Sequence, residues 1–405
     1  MTQPAPAPAP APAFVYDRPK DAPLGPSPLL VALRDEKPVT RVSVWNGKLE
    51  SWLVTRWEEA REVLGSPSLS TNPNHAGFPA VREGVRQRER GFFQMYDPPV
   101  HTAMRRTLTR EFMVKKMDAL RPAVARITTD LLDDLTKKSG PVDYVEHFAL
   151  PLPSLVICAL LGVPYEHHEF FQENSKPFVD LTATAEQVTE AYARLSAFLK
   201  ELLAAKRANP GDDVVTRLGE QVDAGDITEQ EAADLGALLL FAGHETTANM
   251  IALSTVTLLE NPEQIPRLFG TPEELANAVE ELLRYISVLH GGLRRVATED
   301  LTIGDVTIRA GEGVIVPLSV VNRDPALFTD PDQLALDRSN ARQHLAFGYG
   351  IHQCLGQPLA RAELQIVLPE VFRRMPELKL AAPLDEITFK ASSMVYGVQE
   401  LPVTW

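Results

Sequence analysis

Cysteine is almost missing from this chain: Cys158 and Cys354 are the two in 405 residues. Two thiols cannot build a disulfide framework, so a reducing compartment, the cytoplasm, is expected. A structural zinc site is excluded too, because it needs about four ligands and His352 with Cys354 has no partner pair in sight. Positive charge is in deficit. Forty Lys and Arg stand against 54 Asp and Glu, a net charge of −14, with no long basic run. That argues against nucleic acid as the main partner and against anchoring on an anionic membrane surface. The N-terminus lacks a basic region followed by an apolar core, so no secretory signal is expected. An internal repeat and a second domain-sized linker are also missing.

What is present starts with "QPAPAPAPAPA" at residues 3–13. Alternating Pro and Ala favours an extended polyproline helix with nothing to bury, and predicts a disordered tail over 1–13. Residues 14–405 then read as a single domain and a monomer. Thr40 to Thr55 predicts a β-hairpin around a two-residue Asn46-Gly47 turn. Helical patterns cover 57–65 and most of 99–285, with Pro98-Pro99 opening the second stretch. Short strands follow 295, and a last helix runs from about 357 to 374. Leu235 to Leu259 spans 25 residues with His244 and Glu245 as its only ionisable groups. Polar residues near its middle are costly in lipid, so it predicts a helix buried through the centre of the protein. The fold class is mainly α with smaller β portions.

Residues 347–356 read "FGYGIHQCLG". A buried structural cysteine suits Cys158, inside apolar "SLVICALLGV", but not Cys354, where the glycines would weaken any packed element. A nucleophilic cysteine with His352 as base leaves the glycines unexplained. A thiolate bound to a flat, bulky cofactor accounts for the whole stretch. Glycines let the backbone pass under a macrocycle, and a helix starting just after Cys354 aims its amides at the sulfur.

The stretch resembles the haem-binding loop of the cytochrome P450 monooxygenases, Phe-Gly-x-Gly-x-His-x-Cys-x-Gly, at every fixed position. The resemblance implies haem b (heme b, iron protoporphyrin IX) with Cys354 as axial metal ligand. Phe347, Gly348 and Gly356 would lie against the haem, and His352 would donate to a propionate. Further motifs follow in family order over residues 14–405. Glu281 and Arg284 match the Glu-x-x-Arg pair, with Arg338 as its third member, in a structural role. "AGHETT" matches the acid–alcohol helix. Ala242 and Gly243 would let a ligand lie against it, Thr246 would hydrogen-bond dioxygen, and Glu245 would help relay protons. His101 and Arg105 in "DPPVHTAMRR" share a helix face and, with Arg295, would reach the propionates. Arg294 would face solvent.

The implied activity is O2-dependent hydroxylation or epoxidation of a small, mostly apolar molecule, a secondary metabolite or xenobiotic. Electrons would come from a ferredoxin and ferredoxin reductase, with NAD(P)H as the ultimate donor. Arg106, Arg110, Lys115, Lys116 and Arg361 form the candidate docking face, or ordinary solvated charge. Substrate contacts are expected from 78–93, from Leu239 along the long helix, from Val288, Leu289 and Gly292, and from Met394 and Val395. Gly291 and Gly292 would leave room above the haem, and His290 reads as a surface or hinge residue. Two rival readings are a haem-thiolate nitric-oxide reductase and a non-enzymatic haem-binding protein. The retained Glu245 argues against the first, and the Glu245-Thr246 pair against the second.

Overall fold

The computed structural model describes residues 11–14, 18–82 and 90–405. Its helices are α1 (Pro28–Glu36), α2 (Trp57–Gly65), α3 (Val100–Thr109), α4 (Val114–Thr136), α5 (Pro151–Leu161) and α6 (His168–Val179). They continue with α7 (Ala185–Ala208), α8 (Val214–Asp223), α9 (Glu229–Leu259), α10 (Pro272–Ile286), α11 (Leu318–Val321) and α12 (Gln357–Arg374). The fold is mainly helical with small sheets, as the sequence predicts.

The apolar stretch, residues 235–259, forms all but the first six residues of α9, a helix of 31 residues. Its start is fixed by a reciprocal cap: the Thr228 hydroxyl accepts from the Glu231 N–H, and the Glu231 carboxylate accepts from the Thr228 N–H. No side of α9 is left polar, because α5, α7, α8, α10 and α12 all pack against it. No helix among the described residues is long and apolar enough to cross a membrane. Helix α10 starts on a similar cap, Thr271 with Glu274, with Pro272 in its first turn, and ends at Ser287 with φ 47°.

The strands are β1 (Val39–Val44), β2 (Leu49–Val54), β3 (Leu69–Ser70), β4 (Val142–Asp143), β5 (Leu293–Ala297), β6 (Leu301–Ile303), β7 (Val306–Ile308), β8 (Gly313–Val316), β9 (Lys379–Leu380) and β10 (Pro402–Thr404). The main sheet has the order β1-β2-β8-β5-β3. It is antiparallel except for the β2–β8 pair, and it carries β5, with Arg294 and Arg295, between β8 and β3. Two smaller sheets, β4-β10-β9 and β6-β7, complete the β portion.

The β1–β2 hairpin exists, but its turn is not the two-residue kind. The last pair is Val44 with Leu49, and Trp45, Asn46 and Gly47 all have positive φ. The Trp45 indole N–H donates to the Ala80 carbonyl at 3.0 Å, which pins the longer turn. Of the expected tail, residues 1–10 lie outside the described residues. Pro12 and Ala13 are joined to β1: the Pro12 carbonyl accepts from the Ser43 N–H at 2.8 Å, and Ala13 bridges Ser43 in parallel.

Candidate active site

Two structures meet around Cys354: the loop before α12 and the first turn of α12 itself. Gly348 and Gly350 have φ of 71° and 73°, a region that favours glycine. A Cβ on Gly350 would also come within 2.8 Å of the Leu64 carbonyl oxygen. The loop closes on itself where the Cys354 N–H donates to the Phe347 carbonyl at 2.9 Å. The Cys354 surface is open, yet the residue is surrounded by much of the protein mass. Burial pushes its thiol up, while the N–H groups of Gly356 and Gln357 and the charges of Arg105 and Arg361 pull the other way. Cys158 is fully enclosed in α5, and burial alone pushes its thiol up to about 12. Only Cys354 has donors arranged to hold an anion.

Beside the loop, α3 brings His101 and Arg105, and β5 brings Arg295, toward the loop's own His352. His101 is buried, and its ring sits 4.2 Å from that of His352. Neither ring nitrogen of His101 has a partner, nor has Nδ1 of His352. Arg295 is buried and donates to the Arg294 carbonyl at 2.8 Å. Burial lowers Arg295 to about 10 and also lowers Arg105. His101 is pushed down to about 4 by burial and by Arg105, and His352 to about 2 by burial and by Arg295, His101 and Arg105. This is a buried positive field with donors and too few acceptors. It fits a ligand that brings carboxylates.

On α9, the Thr246 hydroxyl donates to the Ala242 carbonyl one turn back at 2.9 Å, and Ala242 and Thr246 share an open face. Gly243 does not share it. Its missing side chain is aimed at α5, and a Cβ there would come within 3.0 Å of Ile157. Close helix packing, rather than a ligand, requires that glycine. Glu245 also turns away from Thr246. Its Oε1 accepts from Lys390 Nζ at 2.9 Å and from Asn249 Nδ2 at 3.1 Å, and Asn249 Nδ2 also donates to the Glu245 carbonyl at 2.7 Å. Burial raises Glu245, but Lys390, His244 and these hydrogen bonds outweigh it and hold the carboxyl below its ordinary range.

The Glu281 carboxylate receives both Arg284 Nε and NH2 at 2.7 and 2.8 Å, Arg338 Nε at 3.0 Å and the Ala335 N–H at 3.1 Å. Arg284 and Glu281 are fully buried. Arg284 NH1 donates to the carbonyls of Asn322 and Pro331.

Leu289 bridges Val395, and the Tyr396 N–H donates to the Val288 carbonyl. The Met394 N–H reaches the Val179 carbonyl at the end of α6. So Val288, Leu289, Met394 and Val395 come together, with Leu239 buried on α9. Gly292 serves a different purpose from the one its sequence suggests: a Cβ would come within 2.7 Å of the Val316 carbonyl, so strand packing demands it. His290 is not on the surface. It is buried against the Tyr396 ring at 4.9 Å, and burial with nearby Arg18 drives it down to about 3. Arg294 is not solvent-facing either; it is half-buried and donates to the Gly291 carbonyl at 2.8 Å. Arg361 is not a free docking charge, since it pairs with Glu280 at 2.6 Å. Part of the 78–93 stretch, residues 83–89, lies outside the described residues.

Several groups escaped sequence reading. Lys390, Asn249 and Gly397 close around Glu245, and Gly397 lies so near that a Cβ there would overlap the Asn249 side-chain oxygen. Phe241 is stacked with Phe178 at 5.0 Å and Phe92 at 6.3 Å, forming an aromatic roof one residue before Ala242. Among the described residues, no group of three or more His, Cys, Asp or Glu could hold a bare metal ion.

Comparison with known proteins decides the lineage. The chain is 47% identical to cytochrome P450-SU2 of Streptomyces griseolus over 390 residues, 96% of each chain. It is 46% identical to the pentalenic acid synthase of Streptomyces avermitilis across 100% of both. The crystal structure of GfsF superposes with a TM-score of 0.90 at 43% identity, covering 98% of this chain and all of that one. The chain belongs to the cytochrome P450 family. The family model, described as Cytochrome P450, matches residues 274–382, which hold Glu281, Arg284, Arg338 and the whole cysteine loop. A cytochrome P450 carries haem on a cysteine thiolate and works with O2 and redox partners as a monooxygenase. When bound, the haem iron supplies the activation of O2 that inserts one oxygen atom into the substrate, the other leaving as water. The monooxygenase reading fits these relatives, and the nitric-oxide reductase alternative is not favoured by them.

Proposed function

We propose that Cys354 supplies the thiolate ligand, that His101, Arg105, His352 and Arg295 hold the haem propionates, and that the chain hydroxylates or epoxidises a small, mostly apolar secondary metabolite. The observation that carries this is the donor set itself. Four basic groups adjoin a cysteine whose sulfur is met by helix N-terminal amides; His101 and Arg295 are buried, Arg105 and His352 half-buried, and both imidazoles carry unpartnered ring nitrogens. The first carries more positive charge than nearby Asp97 offsets, and the second favours an anion; a porphyrin dicarboxylate with a cationic iron satisfies both.

Within that site the chain's own residues divide the work. Ala242 on the open face of α9, beside Phe241 and its aromatic neighbours, offers apolar surface for a ligand to cover. Thr246, bonded to its own helix, presents a hydroxyl to that face. Glu245 is the ionisable group next to it, held as an anion by Lys390, whose side chain is 23% exposed and so meets solvent. Proton delivery runs from solvent at Lys390 to Glu245 and then to the Thr246 side of α9, and needs the Glu245 carboxylate to leave Lys390. The relative named pentalenic acid synthase supports a secondary metabolite as the substrate class.

Electrons enter from an acidic ferredoxin on the cysteine-loop side. Arg106, Arg110 and Lys115 are exposed at and after α3, with exposed Met113 and Val114 in the same segment, and Ile351 is exposed within the cysteine loop; Lys116 is exposed too but lies within 4.0 Å of the Glu111 and Asp212 carboxylates. A basic rim around apolar residues suits such a partner. The test is the reduced protein under carbon monoxide. Wild type should show the long-wavelength Soret band of thiolate ligation, and Cys354→His should lose it while keeping haem. A wild-type spectrum typical of nitrogen ligation overturns the reading.

A further inference from the structure

A second buried charge cluster lies on the cysteine side, outside the Glu281 network and outside the propionate cluster. It consists of Glu280 on α10, His344 before the cysteine loop, and Arg361 on α12. Glu280 Oε1 accepts from Arg361 Nε at 2.6 Å, and Oε2 accepts from Arg361 NH2 at 3.0 Å. His344 Nε2 lies 3.0 Å from the same Oε2. The Ala346 N–H donates to His344 Nδ1 at 3.0 Å, so the ring proton sits on Nε2 and is donated to Glu280. Glu280 is buried, which raises it, but the His344 and Arg361 bonds prevail and hold it down to about 2. The cluster is therefore one carboxylate and one guanidinium with a neutral imidazole between elements.

Its position gives it a reach that Glu281 lacks. The Arg361 guanidinium carbon sits 4.6 Å from the centre of the Phe347 ring. The Phe347 carbonyl is the acceptor of the Cys354 N–H. Arg361 NH1 also donates to Gln357 Oε1 at 2.7 Å, and Gln357 is one of the residues whose N–H meets the Cys354 sulfur. The His344 ring packs 5.9 Å from Phe347. So a fixed positive charge, oriented by a fixed negative one, stands behind the aromatic ring of the cysteine loop.

We propose that Glu280 and Arg361 are positioning residues that act through Cys354: the pair sets the electrostatic field at the sulfur and thereby the reduction potential of the haem centre. The proposal rests on the reading of Cys354 as the ligand. Reduction adds one electron to the centre, so a nearby positive charge favours it and a negative charge opposes it. Glu280 limits how much of the Arg361 charge the sulfur feels, and Arg361 is anchored by Glu280 rather than left to move with solvent.

The experiment is spectroelectrochemical titration of the haem-loaded protein at pH 8 with small-molecule mediators, so that no protein partner contributes. Arg361→Gln should shift the potential to a more negative value and Glu280→Gln to a more positive one. Arg361→Lys should stay near wild type, and the double variant should fall between the singles. Single variants that keep the thiolate Soret band but leave the potential unmoved, or move it in the same direction, overturn the proposal. Arg361 is partly exposed, so Arg361→Gln tests the idea even where Glu280→Gln fails to load haem. Failure of the underlying reading is separate: it would appear as a thiolate band that survives Cys354→His.

Discussion

Replacing Lys390 by Met should invert the pH dependence that Glu245 gives to stability. In the wild type the Glu245 carboxyl lies below its ordinary range because Lys390, His244 and Asn249 outweigh burial. A depressed carboxyl contributes stability above its unfolded value and loses it as pH falls through the folded value. Without the ammonium, burial becomes the leading influence, since Glu245 is only 8% exposed. Its folded value then rises above the unfolded one, and stability falls as pH rises through about 4 and beyond. Wild type and variant should therefore be close at pH 4 and diverge toward pH 7. Removing one partner of a buried pair costs about 3–5 kcal/mol. Lys390 is 23% exposed and Asn249 still donates, so about 1–3 kcal/mol at pH 7 is the expected gap. Denaturant midpoints of the haem-loaded protein, read by Soret absorbance and far-UV circular dichroism at several pH values, measure it. Adding Glu245→Gln should abolish most of the pH-dependent part. A gap of the same size at every pH would show that Lys390 contributes packing alone, and the electrostatic account of this pair would be wrong.

Glu281→Gln removes the charge that receives Arg284 and Arg338 in a fully buried place. It should cost about 3–5 kcal/mol and appear as loss of folded, haem-containing protein on expression. Gly397→Ala forces a methyl group into Asn249. It should cost about 1–3 kcal/mol, lower the melting temperature, and be eased by Asn249→Ala. Thr246→Ala removes a hydroxyl bonded within its own helix. It should leave the melting temperature nearly unchanged while electron consumption uncouples from product formation, measured as product per NAD(P)H.

What could be read from the sequence was local. The turn glycines 348 and 350 and the long, mostly apolar run of residues 235–259 are patterns within a single loop or helix. What could not be read depends on distant partners. Lys390 meets Glu245 across 145 positions, and Arg361 meets Glu280 across 81. Composition marks neither pair. Gly243 and Gly292 show the same limit in another form. Both read as room for a ligand, and both are instead points where backbone meets a neighbour, Ile157 and the Val316 carbonyl. A missing side chain tells that something is close, but not what. His290 and Arg294 read as surface groups because polar residues usually are, and here the 288–295 segment is folded under the C-terminal strand region and the N-terminal chain.

Three of the buried carboxylates of this protein are balanced by cations, and the basic group beside Cys354 is not balanced in the same way. Glu281 is matched by Arg284 and Arg338, Glu280 by Arg361, and Glu245 by Lys390. Each of these sets is complete without any ligand, which suits roles in holding shape or tuning a neighbour. The group around His101 and His352 differs. Two guanidiniums and two imidazoles converge there, the imidazoles carry orphaned ring nitrogens, and burial with the neighbouring cations holds both imidazoles neutral. Desolvating cations without anions is costly, and a folded chain tolerates it only where something else brings the charge. The imbalance lies next to the cysteine whose sulfur is met by backbone amides, and that adjacency points to one ligand that carries both carboxylates and a metal, rather than to two separate sites.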